Sequence, residues 1–312
     1  MKNLLKITDL SPAQIQKTLD LSQALEKKPQ PLLKGKNILF AFEKPSLRTK
    51  VGTEVAINKL GGSVIQVEAS SFFSGKILHA GETDPSGSRE NLIDTVKNVS
   101  QWCDGIFARV FDHKTLQQLE TYSSIPVVNA LCDQHHPMQA FADFLTIQQT
   151  FEENPRPTIT FVGDANNVAY SLIEMGLKLG YPMKFTGPKD HYWNDIQIQH
   201  FESLAQKHQG RFKHSHNPES IIPDSNILYT DTFVSMGEEN QHEAKIKAFE
   251  NFQVNQKMID LSGPKTYFMH CLPAHRNIEV TDEVIDSPNS LVYLQAKNRM
   301  VSSLGVFTTL IK

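Results

Sequence analysis

Along the chain, short runs of consecutive apolar residues alternate with longer stretches in which apolar residues recur every three or four positions. The runs are NILFAF (37–42), SVIQVE (63–68), GIFARV (105–110) and IPVVNA (125–130), then TITFVG (158–163), PMKFTG (182–187), NILYTD (226–231), YFMHCL (267–272) and SLVYLQ (290–295). Runs this short, bounded by Gly, Pro, Asn and Asp, read as strands. Between them ENLIDTVKNVSQWC, KTLQQLETYS, SLIEMGLKLG and IKAFENFQ carry the helical period. Strands apolar on both faces and alternating with helices indicate parallel sheets covered on both sides. The series occurs twice, so the predicted class is α/β: two doubly wound parallel-sheet domains joined by interdomain helices. HPMQAFADFLTIQQT reads as a connecting helix that ends in the turn ENPRP. The boundary is therefore placed near residue 150, with domains at 1–150 and 151–294 and a terminal amphipathic helix at 295–312. Residues 70–90 form a long Gly/Ser-rich polar connection, and such length suggests a functional or a mobile segment.

Composition narrows the function. The 312 residues are 39% apolar and 21% charged, ordinary for a globular chain with two cores. A net charge of −3 argues against nucleic acid or an anionic membrane as a bulk partner, so any anion site is local. Cys103, Cys132 and Cys271 are odd in number and far apart, which fits free thiols in a reducing compartment and gives no zinc spacing. The start, MKNLLKITDLSPAQIQ, lacks the apolar core of a signal peptide. No run approaches the roughly 18 apolar residues of a membrane span. The expected setting is the cytoplasm.

Several segments carry candidate chemistry. KPSLRTK (44–50) follows a strand and opens a helix. The free N–H groups of a helix start favour anions, and Arg48 adds a planar fork suited to phosphate oxygens. Ser46 can cap the helix, and Ser46 and Thr49 add hydroxyls. The same residues also describe an ordinary capped helix with surface cations. In CDQHHPMQAF (132–141), a neutral His136 at a helix start can donate to a carbonyl oxygen, with Gln139 one turn on. MHCLPAHR (269–276) places Cys271 at a strand end near Arg276 and a histidine, either as an activated thiol or as a polar pocket wall. FVGDANNVAYSL (161–172) turns from strand to helix without a dinucleotide fingerprint, and Asn166 and Asn167 suit caps or carboxylate donors. YTDTFVSMGEE (229–239) offers Asp231, Ser235 and Met236 for a zwitterionic head group.

Taken together and in order, these segments resemble the aspartate/ornithine carbamoyltransferase family. PSLRT is similar to its S-T-R-T-R phosphate motif, HPMQ to H-P-x-Q, DTFVSMG to D-x-x-x-S-M-G and HCLPAHR to H-C-L-P, while NRM resembles its closing arginine segment. The likeness spans residues 3 to 312. It implies a carbamoyl phosphate domain followed by an amino-acid domain, with the terminal helix returning to the first. It further implies a homotrimer, or a multiple of trimers, with no metal and no cofactor. Residue by residue, it assigns Ser46, Leu47 through its backbone, Arg48 and Thr49 to the phosphate. Arg109 would bridge the phosphate and the carbonyl oxygen, and His136, Gln139, Arg299 and the Leu272 backbone fall to the carbamoyl group. Asn167, Asp231, Ser235 and Met236 fall to the α-amino and carboxylate groups of ornithine, and Cys271 to its side-chain amine. The implied reaction moves the carbamoyl group of carbamoyl phosphate to the side-chain amine of L-ornithine, giving L-citrulline and phosphate for arginine biosynthesis. Arg109, His136, Cys271 and Arg299 would be its catalytic residues.

Some positions depart from the family pattern. Leu47 stands for a Thr and Lys50 for an Arg. The 70–90 segment has no Q-L-G, so Ser74, Lys76 or Arg89 would have to supply contacts to a neighbouring subunit. Putrescine, an N-acylated ornithine or aspartate are alternative acceptors. A nucleotide-dependent oxidoreductase and a non-catalytic relative are the rivals outside the class.

Overall fold

A computed structural model describes residues 2–73, 90–154, 156–234, 240 and 242–311. Contacts divide the chain into two compact units, Met1–Phe141 with Arg299–Lys312, and Ala142–Asn298. The first contains strands β1 (Asn37–Phe42), β2 (Ser63–Val67), β3 (Gly105–Arg109) and β4 (Val127–Leu131). Its helices are α1 (Pro12–Lys27), α2 (Leu47–Lys59), α3 (Ala69–Phe72), α4 (Leu92–Trp102) and α5 (His113–Tyr122). Helix α6 (Pro137–Thr150) begins in the first unit and ends in the second. The second unit contains β5 (Ile159–Val162), β6 (Pro182–Thr186), β7 (Arg211–Ser215), β8 (Ile227–Thr230) and β9 (Tyr267–His270). With them run α7 (Asn167–Lys178), α8 (Asp195–His208), α9 (Pro218–Ile221), α10 (His242–Ala248), α11 (Gln256–Ser262) and α12 (Asp282–Ile285). Helix α13 (Val292–Leu310) starts in the second unit and finishes in the first.

Both sheets are parallel, ordered β2-β1-β3-β4 and β7-β6-β5-β8-β9. Strand order reverses between β1 and β3 and again between β5 and β8. Such reversals open a crevice at the carboxyl ends of the strands, where ligands of this fold class bind. Strands β3, β5 and β8 are fully buried, as their apolar runs require, whereas edge strands β2 and β7 have no fully buried position. The β4 edge is closed by the N-terminal segment: Leu4 N–H donates to the Val127 carbonyl at 2.9 Å and Asn129 N–H to the Leu4 carbonyl at 2.8 Å. One core lies between this sheet and α4 and α5, joining Leu39, Ile106 and Ala108 to Val96, Leu116 and Leu119. On the opposite face Phe107 packs edge-on against Phe307 of α13, ring centroids 5.5 Å apart. Gly305 lets α13 lie close against α1, because a Cβ there would collide with the Thr18 carbonyl and the Ser22 hydroxyl.

Two elements differ from expectation. SLVYLQ is not a strand: Ser290 makes a single bridge to Phe268, and the chain enters α13 at Val292. Its apolar run is the buried face of a helix start, which periodicity over six residues cannot tell from a strand. Conversely RFKHS (211–215) is β7, hidden from pattern reading because an edge strand keeps polar residues.

Candidate active site

In the first unit, the strand register builds one cluster. β1 pairs Phe42 with Arg109 of β3, and the β3–β4 register shifts between Ala108 and Arg109, a bulge that re-aims the arginine at the strand end. Immediately after β1, Ser46-Leu47-Arg48-Thr49 opens α2. Ser46 occupies the cap position without capping: its hydroxyl donates instead to Thr49 Oγ1, 3.0 Å away. Thr49 is buried, and its Oγ1 also accepts from Arg299 Nη2 at 2.5 Å. The other arm of the same guanidinium, Nη1, donates to Gln139 Oε1 at 2.7 Å. Arg299 is held in turn by its helix, where Ser303 Oγ donates to the Arg299 carbonyl at 2.8 Å and lies 3.4 Å from Thr53 Oγ1.

Positive charge accumulates here. Arg109 is buried and pushed down to about 10, first by desolvation and then by the guanidiniums of Arg299 and Arg48. His136, buried at the start of α6, is held well below its ordinary value by burial, then by Arg299 and Arg109. Burial and neighbouring cations keep the imidazole neutral at this helix start. Groups that disfavour one another's charge at a helix N-terminus form a site for a multiply charged anion. Lys44, one of the cations that marked the motif, sits 4.1 Å over the Phe111 ring instead. Glu43 escaped sequence reasoning: its Oε2 accepts from Phe111 N–H at 2.6 Å and so fixes the loop after Arg109.

In the second unit, β5, β8 and β9 are neighbours, and their carboxyl ends carry a second cluster. Asp231 follows β8 and is buried. Asn166 caps α7, its Oδ1 accepting from Val168 and Ala169 N–H at 3.0 Å each, while its Nδ2 donates to Asp231 Oδ2 at 2.9 Å. Asn166 thus holds the Asp231 carboxylate, and Asn167 is the first helical residue. Cys271 Sγ donates to Asp231 Oδ1 at 3.0 Å. Arg276 does not activate this thiol: its guanidinium is taken by Asp282 at 2.6 Å and by Asp286 at 2.6 and 2.7 Å. Leu272 N–H donates to His270 Nδ1 at 2.9 Å. Ser235 and Met236, like Ser74, Lys76 and Arg89, lie outside the described residues.

Asp231, His270 and Cys271 bring one donor atom each within 4.8 Å of one another. Both ring nitrogens of His270 are engaged, Nδ1 with Leu272 N–H and Nε2 with Glu279 Oε1 at 3.3 Å, so the donor set does not fit a metal.

Fold and clusters together define a two-unit α/β protein with a cationic cluster at one sheet switch point and a carboxylate–thiol pair at the other. The family description "Aspartate/ornithine carbamoyltransferase, carbamoyl-P binding domain" matches residues 2–149, and "Aspartate/ornithine carbamoyltransferase, Asp/Orn binding domain" matches residues 156–310. The chain belongs to the aspartate/ornithine carbamoyltransferase family. It is 38% identical over 315 residues to the ornithine carbamoyltransferase of Pyrococcus abyssi, covering 99% of this chain and 96% of that protein. It is 40% identical over 279 residues to an ornithine carbamoyltransferase of Pyrococcus furiosus described as anabolic, covering 89% and 85%. The solved ornithine carbamoyltransferase of Pyrococcus furiosus superposes with a TM-score of 0.90 at 37% identity, covering 99% of this chain and 97% of that one.

Proposed function

We propose that the protein transfers the carbamoyl group of carbamoyl phosphate to the side-chain amine of L-ornithine, yielding L-citrulline and phosphate in the direction of arginine synthesis. The observation that carries this reading is the pair of hydrogen bonds that Arg299 donates, to Thr49 and to Gln139, which ties the phosphate segment, the H-P-x-Q segment and the terminal arginine into one cationic cluster. Ser46, the Leu47 N–H, Arg48 and Thr49 hold the phosphate. Arg109, His136, Gln139 and Arg299 hold and polarise the carbamoyl group, with the Leu272 carbonyl as a further acceptor. Asp231 and Asn167, with Ser235 and Met236, hold the α-ammonium and carboxylate of ornithine, and Cys271 orients the side-chain amine.

The neutral δ-amine attacks the carbonyl carbon, and the C=O electron pair moves onto oxygen. That oxyanion is met by donors already aimed and desolvated, Arg109, neutral His136, Arg299 and Thr49. The intermediate collapses, the C–O bond to phosphate breaks, the attacking nitrogen gives up its proton to the departing phosphate, and Arg48 and the α2 N-terminus meet the departing charge. No covalent enzyme intermediate is needed, so positioning and electrostatics supply the acceleration.

A homotrimer, or a multiple of trimers, accompanies this reading. Leu47 (75% exposed), Val51 (50%) and Val55 (39%) form a helical stripe on α2, with Ile65 (40%) nearby on β2, and this stripe supports burial against a second copy of the chain. Free thiols at Cys103, Cys132 and Cys271 support a reducing cytoplasm. Among the described residues no helix is long and apolar enough to cross a membrane. Citrulline formation from carbamoyl phosphate and ornithine tests the reading, and its absence would contradict it.

A further inference from the structure

His270 is completely buried and takes no part in the chemistry above. Three contacts hold it. Its backbone N–H donates to Gln295 Oε1 at 3.0 Å, and Gln295 Nε2 is itself fixed by Asp143 at 2.7 Å and the Tyr229 hydroxyl at 2.9 Å. Its Nε2 lies 3.3 Å from Oε1 of Glu279, which is also completely buried. Its Nδ1 accepts the Leu272 N–H at 2.9 Å. An N–H donor facing Nδ1 requires a lone pair there, and a carboxylate facing Nε2 requires a proton there. One tautomer satisfies both.

What this ring holds is unusual backbone. Leu272 has φ +58°, in the left-handed region that L-residues rarely adopt. It directly follows Cys271, whose thiol meets Asp231. Without an acceptor at Nδ1, the Leu272 peptide loses the contact that fixes its orientation. Glu279 is anchored in its turn, since Oε1 also accepts the His275 N–H.

We propose that His270 is a positioning residue for carbamoyl transfer: Glu279 fixes it as the Nε2–H tautomer, and its Nδ1 holds the Leu272 peptide, setting the Cys271–Leu272 turn on which the acceptor amine rests. The inference rests on the carbamoyltransferase reading above. Asn and Gln separate the two halves of the ring, because an Asn amide oxygen replaces Nδ1 whereas a Gln amide replaces Nε2. His270→Asn therefore keeps the acceptor for Leu272, and His270→Gln loses it while keeping the donor to Glu279.

Activity of the unaltered enzyme with ornithine tests the underlying reading separately. Given that activity, His270→Gln is expected to lose about 10²-fold in kcat, the scale of an ångström-sized misplacement. Carbamoyl phosphate binding should stay within about 3-fold, and His270→Asn should recover at least about 10-fold of the lost kcat. Equal kcat losses in the two variants, or unchanged kcat in His270→Gln, would overturn the proposal. Should neither variant fold, ¹⁵N NMR of the native enzyme decides. The His270 ring must show a protonated Nε2 and a bare Nδ1, and the opposite tautomer or a doubly protonated ring overturns it.

Discussion

The thiol of Cys271 donates to the carboxylate of Asp231 across 3.0 Å, joining the ends of two adjacent parallel strands. The other carboxylate oxygen of Asp231 is held by Asn166 at 2.9 Å. A thiol whose proton points at a carboxylate is set to orient a neighbour, not to attack. Cys271→Ser preserves a donor to Asp231 and is expected to raise the KM for ornithine less than about 10-fold. Cys271→Ala removes the donor and should raise it further, by about 1–2 kcal/mol in kcat/KM. Burst kinetics showing a carbamoylated thiol would refute the orienting role.

Asn166 serves stability and binding at once. Asn166→Ala removes a helix cap worth about 1 kcal/mol and frees one oxygen of Asp231. A lowered Tm together with a raised ornithine KM is expected. Carbamoyl phosphate binding, measured alone by calorimetry, should be unchanged.

Thr49 receives both the Ser46 hydroxyl and an Arg299 arm. Thr49→Val keeps the shape and removes that junction, leaving part of a guanidinium without its partner. Carbamoyl phosphate affinity should fall by about 1.5–3 kcal/mol, the range for a hydrogen bond to a charged group. Equilibrium titration without ornithine measures this directly.

The depressed His136 has consequences for both stability and rate. An unfolded chain protonates this histidine below about pH 6.5, while the folded protein resists until much lower pH. The unfolded state then binds more protons, so stability contributed by the neutral imidazole is present above that pH and is lost as pH falls below it. Tm should therefore drop between pH 7.5 and pH 5, and drop less in His136→Gln. For the same reason kcat should show no acid limb from this histidine near pH 6.5. The rise of rate with pH should follow deprotonation of the acceptor amine. A limb near pH 6.5 that disappears in His136→Gln would contradict this.

Much of the fold was legible because buried parallel strands leave unbroken apolar runs. NILFAF was read with its observed bounds. β7 was missed because an edge strand is paired on one side only and keeps its polar residues. SLVYLQ misled because a short apolar run at a helix start, with Tyr293 exposed and Leu291 and Val292 buried, leaves the same local signature as a strand. The cationic cluster was readable as types: an arginine after a capping serine, a histidine before a helix, an arginine near the chain end. Their meeting followed from the family resemblance and not from the residue pattern itself, since the Arg299–Thr49 bond joins residues 250 positions apart. Asn166 was visible as a cap, but its hold on Asp231 depends on strand order. Glu279 and Gln295 gave no local signal, because their importance lies in what they hold.

The account turns on the acceptor. The most direct measurement is kcat/KM with carbamoyl phosphate for ornithine, putrescine, N-acetylornithine and aspartate, read as the carbamoylated product. Asp231, held by Asn166 beside Cys271, predicts that ornithine exceeds each of the others by about 10² or more, the discrimination expected when a buried charged group loses its partner. Turnover of putrescine or N-acetylornithine at or above the rate for ornithine would contradict it.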